Sequence, residues 1–272
     1  RPRDWSSDVC SSDLSLIASG TVDVAVACGV EIMSRIPIGI NSSKKLGLGV
    51  PIPKTYFGRY EMTSQFEGAE RIAEKWNISR DDTDAFGLRS QQNAARAWAE
   101  GRFDGQYIEI DAPELDEEGN QKGMRRVDRD EGIRESTLEK LASLKPVLDR
   151  NPAVHTAGNS SQISDGSAAL LMMTEEKAKA LGLKPRARVI DTCLVGVDPV
   201  LMLTGPIPAT SKVLDKASMK IDDMDAVEIN EAFAPVVLAW EQEHHPDMTK
   251  VNINGGAIAI GHPLGASGTR LT

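Results

Sequence analysis

One histidine, His262, stands in a glycine-rich stretch, residues 251–268 (VNINGGAIAIGHPLGASG), where its side chain could do acid–base chemistry. Glycines at this density are typical of a backbone that turns sharply or approaches a ligand closely. The apolar segment 257–260 predicts a buried strand or a tight strand-like turn, and Pro263 stiffens the corner that follows it. A rigid support of this kind favours catalysis, although a histidine beside an apolar run is also typical of a satisfied structural residue.

Polar side chains in two further loops offer partners for this imidazole. Ser161 lies in the small-residue loop 156–166, and Asn230 and Glu231 follow a predicted strand. Because ligands gather at strand ends in α/β sheets, we expect these side chains to meet His262. An imidazole beside an amide could polarise a carbonyl group, stabilise an oxyanion or take a proton from a nucleophile. No serine or cysteine in this set has an obvious activating context.

Composition narrows the classes of function. The chain has 272 residues, of which 40% are apolar, and a net charge of −9, which argues against general nucleic-acid binding. No apolar run approaches the roughly 18–20 residues of a membrane span, and the glycine spacing does not match a nucleotide-binding fingerprint. Cys10, Cys28 and Cys193 are few and lack metal-site or disulfide spacing, which predicts a reducing, cytoplasmic setting.

Apolar periodicity and capping residues predict the elements that carry these loops. The predicted helices cover residues 66–76, 79–100, 174–181, 208–217 and 235–245, and the predicted strands cover 22–30, 187–197 and 225–229. Their alternation favours a layered α/β architecture with a largely parallel sheet. Within the first strand, Cys28 is expected to be a small buried hydrophobe.

The segment 109–135 is the least core-like part of the chain and predicts a surface excursion. It contains Arg125, Arg126 and Arg129, and Arg134 lies near its end. A cluster of charges is usually solvent-facing. Guanidinium groups also pair with phosphate oxygens, so a phosphate site remains open for this segment.

Longer blocks of the sequence resemble the signature blocks of the thiolases, a family of acyl-CoA acetyltransferases. The blocks are N-E-A-F-A at 230–234, N-G-G-A-I-A-I-G-H-P-L-G-A-S-G at 254–268, V-A-C-G-V-E-I-M-S-R at 26–35 and T-A-G-N-S-S-Q-I-S-D-G at 156–166. They follow the order of the family from about residue 15 to residue 272. The middle of the chain is most similar to the degradative thiolases of actinobacterial sterol side-chain catabolism.

The resemblance implies the fold class α/β, with the layered αβαβα thiolase fold of two similar halves and an inserted loop domain, incomplete here. The inserted domain would cover residues 40–153. The N-terminal half would then consist of 15–39 and 154–183, and the C-terminal half of 184–272. Residues 1–14 are rich in serine and aspartate, lack periodicity, and are expected to be a non-native or disordered leader.

The resemblance also implies an activity. Thiolases cleave 3-ketoacyl-CoA with CoA to acetyl-CoA and a shortened acyl-CoA, or run the reverse condensation, as homodimers or homotetramers. By this resemblance His262 activates a nucleophilic cysteine, and Asn230 holds a water that completes the oxyanion site. The positions that match residues binding substrate and CoA are Ser161, Ala157, Arg134 and Phe233. CoA is a substrate, so no cofactor and no metal is implied.

The resemblance implies two catalytic cysteines, a nucleophile and a second one that acts as acid and base. The chain departs from the family pattern at both. The nucleophile is expected in a C-x-S-G block that lies further upstream of Gly20 than Cys10 does. The acid–base cysteine is expected in a C-x-G motif, which the chain does not contain before Thr272. Cys193, in a predicted strand, is no substitute, so the chain by itself is predicted to be inactive. The alternatives are a non-catalytic acyl-CoA or lipid-binding protein of thiolase-like fold, and a 3-ketoacyl synthase relative, which the N-E-A-F-A block disfavours.

Overall fold

The computed structural model describes residues 5–47, 49 and 52–272. The α-helices in this part of the chain are α1 (Trp5–Ala18), α2 (Lys54–Phe57), α3 (Gln65–Lys75), α4 (Arg80–Ala99), α5 (Leu138–Ala142), α6 (Glu175–Ala180), α7 (Pro206–Ala217), α8 (Ala234–His244), α9 (Ala257–Ile260) and α10 (Ser267–Leu271). The strands are β1 (Val24–Ile32), β2 (Ile110–Leu115), β3 (Gln121–Val127) and β4 (Asp165–Met173). No helix among the described residues is long and apolar enough to cross a membrane.

The strands form two antiparallel ribbons. β1 pairs with β4 from Val24↔Met173 to Ile32↔Asp165, and β2 pairs with β3 in the polar excursion. The expectation of a largely parallel sheet is therefore wrong for the described residues, where parallel pairing is limited to the isolated bridge Val227↔Val251. A short apolar run does not reveal the direction of its partner strand, which here lies more than a hundred residues away along the chain.

β1 is buried on one face only. Ala27 is fully buried, whereas its neighbours Val26 and Cys28 are exposed, Val26 by 57%. Because successive side chains of a strand point to opposite faces, Cys28 lies on the open face. The interpretation of Cys28 as a buried hydrophobe is wrong, since it treated the strand as covered on both sides.

The long helices begin and end where the sequence predicts. Ser64 caps α3 by accepting a hydrogen bond from Glu67 N, and Ser79 and Asp82 form a reciprocal capping box at the start of α4. Gly101, with φ +69°, follows the end of α4. Local hydrogen bonding and the freedom of glycine thus set these boundaries.

α8 lies between two apolar clusters and is the central helix of the site region. Val236 and Ala239 pack with Ile72 of α3 in one cluster, while Val237 and Trp240 pack in the other. Each fully buried large side chain contributes roughly 1.5–3 kcal/mol to folding. The N-terminus of α8, directly after residues 230–233, is therefore held firmly in place.

Several sequence predictions are wrong in this structure. Residues 187–197 form no strand, and Ile190 is 71% exposed. Residues 225–229 make only the single bridge at Val227. Both predictions relied on β-branched composition, which stabilises a strand only where neighbouring strands and packing surfaces are present.

Two further segments are helical, although the sequence predicted no helix for either of them. Residues 257–260 form the single helical turn α9, and residues 5–14 of the predicted non-native or disordered leader lie in α1. Four apolar residues are too few to show a helical period. α1 ends at Ala18, and Gly20, with φ +71°, turns the chain toward β1.

Candidate active site

Three loops meet beside the N-terminus of α8. Ser161 N donates to Ala232 O at 2.9 Å, and His262 N donates to Gln162 O at 3.2 Å. The loop 156–166 therefore lies between residues 230–233 and the histidine corner. The segments 230–233 and 156–166 also share an isolated antiparallel bridge between Ser160 and Phe233.

The structure brings His262 and Asn230 together. Asn230 Nδ2 lies 3.3 Å from His262 Nε2, and His262 Nδ1 lies 2.6 Å from Ser267 Oγ. The histidine is only 8% exposed. Its ring is held from both sides by polar atoms, which fixes its plane and its direction.

Gly261 makes this corner possible. Its φ of +89° is a conformation that residues with a side chain rarely adopt, and a Cβ there would lie 2.0 Å from Ser164 Oγ. On the far side of the corner, Gly265 N donates to Glu31 Oε2 at 3.0 Å. The loop after His262 is thereby joined to the end of β1.

Asn230 presents a second polar atom to this region. Its Oδ1 is buried and has no hydrogen-bond partner among the described residues. Buried acceptors are nearly always paired with protein or ordered water, so this oxygen is a place where a water or a polar ligand atom would be stabilised.

Glu231 ties three segments together beneath the site. Its carboxylate is 1% exposed and accepts hydrogen bonds from Ser90 Oγ at 2.6 Å, Asn252 Nδ2 at 2.8 Å and Ile258 N at 3.2 Å. Burial raises the pKa of Glu231, and the three donors oppose that change only in part. Gly256 leaves room for this carboxylate, since a Cβ there would lie 2.2 Å from Glu231 Cδ.

Replacing Glu231 by glutamine is expected to destabilise the fold. Glutamine presents an NH2 group where two acceptor oxygens now face three donors, so at least one buried donor loses its partner. That loss costs about 1–3 kcal/mol, measured as the free energy of unfolding in urea. The control is Glu117→Gln in the exposed turn between β2 and β3, expected to change stability by less than about 0.5 kcal/mol. Equal stability of Glu231→Gln and wild type would contradict this role.

Gln162 joins the polar excursion to the histidine loop. Its Nε2 donates to Gly132 O at 2.8 Å and to Ile258 O at 2.9 Å, and its Oε1 accepts from Arg134 Nη2 at 2.5 Å. Arg134 is therefore held close to α9. Two other arginines of the predicted cluster are held by acidic side chains, because Arg125 pairs with Glu131 and Arg126 pairs with Glu109.

The remaining predicted site residues surround the same loop. Ala157 is exposed and Ser161 is half-buried on the loop 156–166, whereas Phe233 is only 4% exposed. The Phe233 ring lies 5.5 Å from that of Phe66 and 4.5 Å from that of His155. Phe233 is therefore mainly a core residue at the edge of the site.

No described cysteine lies at His262. Cys28 is exposed on β1, and Cys193 Sγ donates to Ala209 O at 3.3 Å. The side chain of Cys10 lies outside the described residues. Residue 193 was expected within a strand, which the structure does not contain.

Sequence reasoning missed several residues that build the site. Ser267 and Gln162 both lie inside the sequence blocks already singled out, one five residues after His262 and one next to Ser161. Their position in those blocks was the available signal. Ser90, in the middle of α4, gave none, because its partner Glu231 is 141 residues away.

Comparison with known proteins identifies the family of this chain. The model of the thiolase N-terminal domain matches residues 10–176, and that of the thiolase C-terminal domain matches residues 183–272. Among solved structures, human mitochondrial 3-ketoacyl-CoA thiolase is similar with a TM-score of 0.83 and 33% identity, covering 99% of this chain and 68% of that one.

Sequence identity to known proteins indicates the same family. Steroid 3-ketoacyl-CoA thiolase FadA6 of Mycobacterium tuberculosis is 48% identical over 261 residues, which is 94% of this chain and 61% of FadA6. The 3-ketoacyl-CoA thiolase of Bacillus subtilis is 40% identical over 97% of this chain and 68% of its own length. The chain thus spans roughly three fifths to two thirds of the length of these relatives. It adopts the mixed α/β thiolase fold and belongs to the thiolase family.

Proposed function

We propose that the protein containing this chain is a degradative thiolase that cleaves 3-ketoacyl-CoA with CoA to acetyl-CoA and a shortened acyl-CoA, or runs the reverse condensation. The observation that carries the proposal is the contact between His262 Nε2 and Asn230 Nδ2 at 3.3 Å. Acyl transfer needs a base for a nucleophile and donors for a developing oxyanion. This pair offers both within one buried corner.

His262 serves as the base and afterwards, protonated, as a donor to the thioester oxygen. Asn230 holds a water beside it through Oδ1, which has no hydrogen-bond partner in the part of the chain that the structure describes. We assign the nucleophile and the second, acid–base role to none of Cys10, Cys28 and Cys193, because Cys10 lacks the C-x-S-G pattern, Cys28 is exposed on β1 and Cys193 donates to Ala209 O. The chain alone therefore performs no thiolysis, and turnover by the isolated chain would contradict this assignment.

The CoA pocket follows the loop 156–166. Ala157 and Ser161 line the path of the pantetheine arm, Phe233 closes its inner end, and Arg134 meets the nucleotide phosphates. The bond from Arg134 Nη2 to Gln162 Oε1 supports this arrangement, because it holds a guanidinium within reach of the same loop. Guanidinium groups pair with phosphate oxygens more strongly than neutral donors do.

The relatives suggest the wider setting. The similarity to a steroid thiolase supports a substrate with a steroid-derived acyl group and a place in steroid and lipid breakdown. By family, we propose a homodimer or homotetramer in the cytoplasm, and we retain the division into an inserted domain at 40–153 between two thiolase halves.

CoA binding by this chain tests the pocket. Isothermal titration with CoA is expected to show binding that Arg134→Ala weakens about tenfold, the loss of one charge-assisted contact worth about 1.4 kcal/mol. The matched control is Arg125→Ala, an arginine of the same segment that is already paired with Glu131. Equal binding by Arg134→Ala and wild type would contradict the role of Arg134. A loss on Arg125→Ala instead would favour the broader arginine cluster as the phosphate site.

A further inference from the structure

The serine five residues after His262 contacts its ring. Ser267 Oγ lies 2.6 Å from His262 Nδ1 and donates to Pro263 O at 3.1 Å. Ser267 is 1% exposed, and its backbone N also donates to Pro263 O at 3.0 Å. The hydroxyl is therefore held at the first turn of α10, away from solvent, with the imidazole and one carbonyl as its neighbours.

Hydrogen-bond directions in this group depend on one another. A serine hydroxyl has a single proton. If that proton goes to Pro263 O, Ser267 Oγ can only accept from the ring, so Nδ1 of His262 must carry a hydrogen. A neutral imidazole then has its lone pair on Nε2, which faces Asn230 Nδ2 at 3.3 Å. In this arrangement Nδ1–H meets Ser267 Oγ, the hydroxyl meets Pro263 O, and the amide of Asn230 meets the lone pair of Nε2.

The opposite arrangement is less favourable. If Ser267 donated to Nδ1, the hydrogen of the neutral ring would be on Nε2, and that N–H would face the amide donor of Asn230. Pro263 O would also lose the hydroxyl donor at 3.1 Å. Two donors facing each other at 3.3 Å form no hydrogen bond with each other, so this arrangement loses the contact between Asn230 and the ring.

We propose that Ser267 is a positioning residue that keeps His262 in the Nδ1–H tautomer, with the lone pair of Nε2 directed toward Asn230 and the thioester site. The proposed tautomer rests on the contacts of His262 with Ser267 Oγ and Asn230 Nδ2, and its chemical consequence rests on the proposed function. In that function, Nε2 takes the proton of a thiol, leaving a thiolate and an imidazolium. Nδ1–H still donates to Ser267 Oγ, and the new Nε2–H is available to a thioester oxygen. In acyl transfer from an acyl-CoA, the enzyme thiolate forms a new thioester bond to the acyl carbon, the carbon–sulfur bond to CoA breaks, and the imidazolium returns its proton to the departing CoA thiolate.

The tautomer can be measured on this chain without any assay of activity. Long-range 1H–15N correlation spectra distinguish a protonated ring nitrogen from one with a lone pair, and the chain has 4 histidines. The signal of His262 is assigned by its loss in His262→Gln. At a pH where the ring is neutral, wild type is expected to show a protonated Nδ1 and an unprotonated Nε2.

Ser267→Ala is expected to shift both nitrogens toward the average of two exchanging tautomers, and Ser267→Thr, which keeps the hydroxyl, is expected to restore the wild-type pattern. The matched control is Ser160→Ala. Ser160 is also buried and also donates to the carbonyl four residues before it, Thr156 O at 2.8 Å, without touching the imidazole.

Two results would overturn the proposal: a wild-type spectrum with the hydrogen on Nε2, or an unchanged pattern in folded Ser267→Ala. If Ser267→Ala does not fold, as judged by circular dichroism, wild type and Ser267→Thr decide the outcome. If the full-length protein performs no thiolysis but His262 shows the expected tautomer, the proposed function is wrong and the role of Ser267 stands.

Discussion

Replacing His262 by alanine in the full-length protein is expected to lower kcat/KM for thiolysis on the order of a thousandfold. A positioned general base contributes about a hundredfold to ten-thousandfold, and here the same imidazole also serves the oxyanion. The small exposure of His262 leaves little room for water to replace it. The measurement is the rate of CoA-dependent cleavage of a 3-ketoacyl-CoA, followed by the loss of the substrate or the formation of acetyl-CoA.

The control must separate chemistry from folding. His245 ends α8 in a left-handed conformation with φ +49° and is exposed. Asparagine tolerates that conformation, so His245→Asn is expected to keep kcat/KM within about twofold, since exposed substitutions rarely disturb a fold. A His262→Ala protein that melts like wild type and retains a rate within threefold of it would remove His262 from the mechanism.

Helix positions were predictable because their signals are local. The capping box of Ser79 and Asp82, the apolar spacing of α3 and the glycine after α4 all act within a few residues. Such interactions form in the same way in most surroundings. The boundaries of α4, α7 and α8 therefore agree with the sequence predictions to within a few residues.

Whether a predicted strand forms depends on a partner strand, which the sequence of the segment itself does not identify. Residues 22–30 and 187–197 have similar β-branched composition, yet only the first segment pairs, because β4 lies beside it. The open face of β1 and the exposure of Cys28 follow from which surfaces are covered, and no local pattern carries that information.

The site was predictable only in part for the same reason. His262 and Asn230 were expected to meet because each was placed at the end of a predicted strand. They do lie together, although residues 257–260 form a helical turn and residues 225–229 make only a single bridge. The hydrogen bonds that hold them join distant residues, as in Ser90 to Glu231 and Gln162 to Gly132. Contacts of this kind are set by tertiary packing, so the composition of either partner segment does not reveal them.

Acidification is expected to weaken the fold through a different histidine, His155. This residue is fully buried, and both of its ring nitrogens lack a hydrogen-bond partner among the described residues. Its ring lies against Phe233 and Phe66. Burial among these groups lowers the pKa of His155 to about 4, because the charged ring cannot be solvated there.

The sign of the pH dependence follows from proton uptake. In the unfolded chain His155 has an ordinary pKa of about 6.5. Between pH 6.5 and 4, the unfolded state therefore binds a proton that the folded state excludes. The contribution of neutral His155 is fully present above the unfolded pKa and is lost as pH falls toward the folded pKa. The gap between the two values corresponds to roughly 3 kcal/mol.

Two variants that cannot titrate isolate this contribution. His155→Phe keeps an aromatic ring beside Phe233, and His155→Leu replaces it with a smaller apolar group; neither loses a hydrogen bond from the ring. Urea unfolding of wild type and both variants is measured at pH 7.5 and pH 5. The stability of each variant relative to wild type is expected to rise by about 2 kcal/mol on acidification. Cavity or crowding effects differ between the two variants but do not change with pH. Because other titrating groups cancel in this difference, curves that stay parallel across the two pH values would show that His155 takes up its proton equally in the folded and unfolded chains.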